Sequence, residues 1–399
     1  MRLKPDTAAF TLLLAFLTGV GPISTDIFLP SLPAMARVFG TTIAGAQATL
    51  TAYFIGFALA QIIYGPISDR VGRRPVLLVG LAAYTLAGLA CVLAPSIHML
   101  IAARTVQAVA AAAPIILART IVRDIHAGVR AGNLLSVMAS IMGIVPIVAP
   151  AVGGFLDVSF GWQSSFWVMT AAGALAFVLV AILLPETLRR GERAERLSLA
   201  SIVASYGVVI SSRTFRLYAA LVCLAYGGLI TYVGVSSFIV QGRYRLSPVG
   251  YGLTFAVGAG AFIAGTFLGR ALAARRGLDG AIGTGAAFLA AGGVLLPAAI
   301  ALGPGSVIEF IVPVVIYMIG IGVVTPQGFA AALTPFPERA GAASSLLGFL
   351  HMGTAAIILT AAGVLFGDAA FANAMVLGVT GFAAIVVYLG ARMRRTAPA

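Results

Sequence analysis

The chain has 399 residues, of which 60% are hydrophobic and 9% charged, with formal net charge +13 and mean hydropathy +1.06. A soluble domain carries roughly a quarter charged residues, so this composition excludes soluble folding and predicts a helical protein that crosses a bilayer many times. The two cysteines, Cys91 and Cys223, lie inside apolar runs and offer neither a disulfide framework nor zinc-ligand spacing.

The first apolar run extends from Ala8 to Leu29 behind Arg2 and Lys4. It is longer than the apolar core of a secretory leader, about 7–15 residues, and it contains Asp26, so it reads as an uncleaved first span. Runs of bilayer length, about 20 residues, then recur. The predicted spans are 8–29, 44–64, 76–94, 98–118, 133–156 and 164–184. After a polar stretch come 215–238, 249–270, 281–302, 306–330, 342–366 and 371–391. Gly303-Pro304-Gly305 alone separates spans 9 and 10.

With the N-terminus placed in the cytoplasm, the basic residues sort by side. Arg37, Arg243 and Arg245 fall outside, Arg104 lies within a span, and all the others fall inside. That asymmetry predicts twelve crossings with both termini cytoplasmic. It also assigns the positive charge to sidedness and anionic lipid rather than to nucleic acid. The polar stretch from Glu186 to Arg213 divides six spans from six, giving residues 1–188, a cytoplasmic linker 189–213, and residues 214–399. Traces of a repeat survive: Gly56 recurs as Gly258, and Arg73-Arg74 as Arg275-Arg276, although Ala271 stands where Asp69 would be copied. The expected fold is an all-α membrane protein, with two pseudo-symmetric six-helix halves around a central cavity.

Within this apolar frame a few polar positions stand out. Gly65-Pro66-Ile67-Ser68-Asp69-Arg70-Val71-Gly72-Arg73-Arg74-Pro75 concentrates one acid and three arginines between spans 2 and 3. Its two glycines predict a tight turn, and Pro75 is suited to open the next helix. Span 1 ends in Thr25-Asp26-Ile27-Phe28-Leu29-Pro30-Ser31-Leu32-Pro33. A carboxylate there must pair or face water, unless Asp26 simply reaches the interface. Span 4 carries Arg104-Thr105-Val106-Gln107, and a mid-span arginine costs roughly 2.5–3.5 kcal/mol on insertion scales. Asp26 and Arg104 differ in depth by roughly 4.5 Å at helical rise. They are therefore expected to interact directly or through water, the alternative being that Arg104 snorkels outward.

Span 5 carries Gly143, Pro146, Pro150, Gly153 and Gly154. Its prolines predict a bend and its glycines a close helix contact, with Gly258, Gly260 and Gly265 of span 8 as the expected partner. His351 in span 11 reads as a packed histidine ahead of a titrating one. Glu309 reads as an interfacial acid. Gly-x-Ser-x-Gly, His-Glu-x-x-His, Walker and complete Gly-x-Gly-x-x-Gly patterns are absent from the sequence, so no enzyme chemistry, metal or cofactor is expected.

The Gly65–Pro75 segment resembles the loop between spans 2 and 3 of the major facilitator superfamily, and span 5 resembles that superfamily's antiporter signature, with Ala149 at a place often taken by Gly. Thr25–Pro30, Arg123-Asp124, Ala149-Pro150, Gly161-Trp162 and Leu184-Pro185-Glu186-Thr187-Leu188 resemble the Bcr/CflA drug-resistance transporters. This resemblance implies the major facilitator fold and efflux of hydrophobic drugs in exchange for protons across a bacterial cytoplasmic membrane. It further implies that Asp26 is the protonatable carboxylate and Arg104 its polar partner. Gly65, Asp69, Arg70, Gly72, Arg73, Arg74 and Asp124 would form a conformational latch, with Asp69 near the start of span 11. Thr18 stands where some relatives carry a second acid, which implies simple coupling, one proton per cycle. Tyr53, Tyr232 and Phe238, with Asp26 and Arg104, are candidates to contact the drug, with ordinary helix packing the equal alternative for the three aromatics. The implied partners are a small-molecule drug, protons and the lipid bilayer, with a monomer expected. Export of an endogenous sugar or amino-acid derivative is the alternative; a channel is a further one, which would show uncoupled conductance in bilayers, and an ATP-driven pump has no support in the sequence.

Overall fold

A computed structural model of the protein describes residues 3, 7–126, 128–188, 199–303 and 305–396. The linker arginines Arg189, Arg190, Arg193 and Arg196, like Arg2 and Lys4, lie outside the described residues. No strand occurs among the described residues. The chain forms two compact units, Met1–Leu197 with Pro248–Gly252, and Ser198–Ser247 with Leu253–Ala399.

The first unit contains α1 (Ala8–Asp26), a short turn Leu29–Ser31, α2 (Leu32–Val38), α3 (Ile43–Val71), α4 (Arg73–Val92), α5 (Ile97–Ile125), α6 (Gly128–Phe160) and α7 (Gln163–Leu183). Side-chain oxygens of Thr7, Thr42 and Ser96 cap the first turns of α1, α3 and α5, satisfying backbone donors that the helix leaves unpaired. Phe10, Leu14, Leu77, Leu117, Ile121 and Val180 bring α1, α4, α5 and α7 into one buried core.

Two boundaries differ from the sequence reading. Span 1 ends as a helix at Asp26 rather than Leu29. Pro30 lacks the N–H that would bond the Asp26 carbonyl, so the helix stops there. The Gly65–Pro75 segment is not a loop, because α3 continues through Gly65 and Pro66 to Val71. Only Gly72 breaks it, at φ 114° and ψ 156°, a backbone region that favours glycine.

The second unit holds α8 (Leu199–Ser211), α9 (Arg213–Phe238), a π-turn Ile239–Arg243, α10 (Pro248–Leu302, its first turn grouping with the first unit), α11 (Val307–Leu333), α12 (Ala340–Leu365) and α13 (Ala369–Thr396). The expected linker 189–213 thus contains a helix, α8, which packs against α9 and α12. Eleven helical segments among the described residues are long and apolar enough to cross a membrane. The longest, 55 residues, is broken at Gly277 (φ 71°) into two. That break restores the predicted division between spans 8 and 9, for twelve crossings in all.

Glu309, expected at the interface, is instead buried in the first turn of α11. Its carboxylate accepts from Tyr244 Oη at 2.8 Å and Gly305 N at 2.9 Å, with Arg243 Nη2 at 3.6 Å. One acid therefore ties the end of α9 to the turn before α11, where a carboxylate also suits the helix dipole. Glu309→Ala should lower the melting temperature in detergent by about 2–4 °C, and Glu309→Gln, which keeps one acceptor, by less.

Candidate functional site

The first unit encloses a guanidinium. Arg104 on α5 has no exposed surface. Its Cζ lies 4.4 Å from the ring centres of both Phe28 and Tyr53, and Phe166 stands at 5.8 Å. Nη1 donates to Gln107 Oε1 at 2.6 Å, one turn along the same helix, and Nη2 donates to the Ser24 carbonyl at 2.9 Å. Ser24 Oγ shares a 2.6 Å hydrogen bond with Tyr84 Oη on α4. Taking a charge out of water costs several kcal/mol. Charge-assisted hydrogen bonds, about 1.5–3 kcal/mol each, and desolvated cation–π contacts of about 2 kcal/mol are the offsetting terms. Snorkelling to the interface is therefore not what this arginine does.

Its expected partner is elsewhere engaged. Asp26 is 7% exposed, and its Oδ1 accepts from Thr25 Oγ1 at 2.8 Å. Among the described residues no ion pair joins Asp26 to Arg104, which corrects the expectation of a direct interaction. The reason lies in where α1 ends. Its final carbonyls are short of helical donors and carry the negative end of the dipole. The Ser24 carbonyl, two residues before Asp26, therefore holds the cation in place of the carboxylate. The buried Tyr53 ring stands over the guanidinium, its centre 4.4 Å from Arg104 Cζ.

The span 5 motif meets the same helix end. Pro146 and Pro150 lie inside α6, downstream of Gly143. At Gly153 a Cβ would overlap the Ile27 carbonyl, which also accepts from Ser165 Oγ at 3.2 Å. Gly154 lies against the backbone of Pro248. Gly258 faces Tyr232, Gly265 packs on Ile319, and Gly260 has open space around it. Gly252, in the first turn of α10, is the one against the backbone of Pro150 and Ala151.

The latch residues converge on Arg73, which is buried. Its guanidinium pairs with Asp69, donates through Nη1 to Ser68 Oγ at 2.9 Å and through Nε to Asp124 Oδ2 at 2.9 Å. Arg74 Nη2 donates to the Ala181 carbonyl at 2.6 Å. Arg70 is exposed, whereas Gly65, mid-helix in α3, joins the network through its carbonyl, which accepts from Ser68 Oγ at 2.9 Å. A residue missing from the sequence prediction completes it. Glu186 accepts from the backbone N–H groups of Arg73 at 2.9 Å, Arg74 at 3.2 Å, Thr187 at 3.0 Å and Leu188 at 3.1 Å. Its signal was a lone carboxylate directly behind Pro185, at the end of a span.

In the second unit, Tyr232 is buried between Phe255 and Phe310, with ring centres 5.6 and 6.1 Å away. Phe238 ends α9 at the π-turn. His351 is flanked by Tyr226 at 4.5 Å and Phe329 at 5.3 Å, and its Nδ1 bonds the Leu347 carbonyl at 2.9 Å. It is a packed and satisfied histidine.

Many apolar crossings with a few satisfied charges inside them define a polytopic membrane transporter. The chain belongs to the Major Facilitator Superfamily, whose sequence model matches residues 14–360. It is 33% identical over 365 residues to the uncharacterized MFS-type transporter YdgK of Bacillus subtilis, covering 90% of this chain and 89% of that one. It is 32% identical to a chloramphenicol resistance protein of Pseudomonas aeruginosa, covering 85% and 80% of the two chains. A crystal structure of a POT family transporter in complex with 5-aminolevulinic acid superposes with TM-score 0.78, covering 96% of each chain at 14% identity, a likeness of fold alone.

Glu186→Ala would leave four backbone donors without their acceptor and is expected to cost about 1–3 kcal/mol of stability, read as a lower melting temperature. Gly153→Val should displace the end of α1 at a cost of about 1–3 kcal/mol. A melting temperature equal to that of the wild type would contradict the close contact with Ile27.

Proposed function

We propose that this protein exports hydrophobic drugs in exchange for protons, by alternating access, with Asp26 as the proton carrier. The observation that carries the reading is a buried carboxylate, at the end of a membrane-crossing helix, that no cation among the described residues neutralises. A carboxylate locked to an arginine would have to break an ion pair to take up a proton. Asp26 needs only to exchange with water, because Arg104 is held by Ser24, Gln107 and two aromatic rings.

Facing outward, Asp26 takes a proton as the drug departs; facing inward, it releases that proton as the next drug binds. Arg104 is a positioning residue, keeping Phe28 and Tyr53 in register beside the acid. Arg73, Asp69, Asp124 and Glu186 brace the α3–α4 junction. A membrane potential supplies about 2.3 kcal/mol per charge per 100 mV to an electrogenic step. The similarity to a chloramphenicol resistance protein supports a drug substrate. The arginines at the α3–α4 and α5–α6 junctions support both termini in the cytoplasm of a bacterial inner membrane.

Inverted membrane vesicles screened with a panel of antibiotics and lipophilic cations test the proposal. Several unrelated drugs should each elicit proton movement. Asp26→Asn should abolish that movement while the protein reaches the membrane in normal amount. Full accumulative efflux by Asp26→Asn would reject the assignment.

A further inference from the structure

The second unit carries a groove of about 390 Å³ between α9 and α13, lined by Arg213, Arg216, Leu217, Ala220, Val387 and Gly390 among others. We infer that it seats an anionic phospholipid, with the phosphate on Arg213 and Arg216 and an acyl chain along the apolar floor.

The charges argue for an anion. Arg213 and Arg216 stand in the first turn of α9, which contains no acid. Cations are disfavoured at this positive end of a helix dipole. Arg216 has a partial explanation, since its Nη1 donates to the Ile210 carbonyl at 3.1 Å and the Ser211 carbonyl at 2.8 Å, capping the end of α8. Arg213 is exposed and makes no such bond among the described residues. Among the described residues no acidic side chain lines the groove. Two guanidiniums at a helix start, with no carboxylate among the lining residues, match the forked geometry that arginine offers to phosphate.

The floor argues for a lipid rather than a free phosphate. From Arg213 to Ala220 the groove follows α9 for about 10 Å, and past the arginines its walls are Leu217, Ala220, Val386 and Val387. Val386 is half exposed, as a surface turned to the hydrocarbon would be. Basic pockets between membrane helices take anionic headgroups in this way. Because Arg216 also caps α8, an occupied groove would brace the α8–α9 junction.

The full-length protein, purified in detergent, is titrated with phosphatidylglycerol or phosphatidylcholine and read by native mass spectrometry. One phosphatidylglycerol per chain should be retained, at least fivefold more strongly than phosphatidylcholine. Arg213→Gln should weaken retention about fivefold. Gly390→Phe should weaken it comparably with both arginines intact, since no atom lies within 4 Å of a Cβ built there and the ring can fill the groove. Equal retention of the two lipids, or wild-type retention by both variants, would overturn the inference. So would an effect of Arg213→Gln alone with inorganic phosphate displacing the lipid, which marks a phosphate site. An effect of Gly390→Phe alone marks an apolar groove without charge recognition and overturns it equally. Unchanged melting temperatures in both variants keep these readings separate from misfolding.

Discussion

The first unit is organised around a guanidinium that has been removed from water without a carboxylate to neutralise it. Arg104 donates to a helix-end carbonyl and to a glutamine one turn away, and it lies against the faces of two aromatic rings, while its Nε has no partner among the described residues. Each of these partners is neutral. The cost of that burial is met only if α1 ends where it does, since an unbroken helix would use the Ser24 carbonyl internally. Pro30 is therefore as much a part of the site as the arginine.

The same helix end explains why the other motifs are placed as they are. The Ile27 carbonyl takes Ser165 and leaves no room for a side chain at Gly153. The small residue in α6 thus serves the end of α1, while the prolines before it shape the approach. At the other end of the unit, Glu186 collects the donors of the α4 N-terminus and joins them to the end of α7. The latch is therefore a three-helix junction, α3 to α4 to α7, with Asp124 of α5 bound to its central arginine.

The twelve crossings were legible because a bilayer demands about 20 apolar residues each, a constraint written locally along the chain. The concentration of polar residues at Asp26, Arg104 and Asp69–Arg74 was legible for the converse reason, that charge is too costly in a span to be incidental. Three readings turn on distant segments. Asp26 and Arg104 lie at compatible depths, but depth says nothing about which acceptor a side chain finds. Glu309 reads as interfacial by position, yet Tyr244 and Gly305 surround it. Tyr232 reads equally as a pocket wall or a packing residue until Phe255 and Phe310 are seen to cover it.

By itself the sequence determined the membrane setting, the apolar runs of spanning length, a turn between spans 2 and 3 and another between spans 9 and 10, and the few positions where charge enters the apolar frame, because hydropathy, glycine freedom and the cost of buried charge act on short stretches. The tertiary structure alone decided the pairings: Arg104 with Ser24 rather than Asp26, Gly153 with Ile27, and Glu186 with the start of α4. Hydrogen bonds and cation–π contacts form only within a few ångströms, and that proximity is created by helix packing between segments 50 to 140 residues apart, roughly beyond the reach of any local pattern.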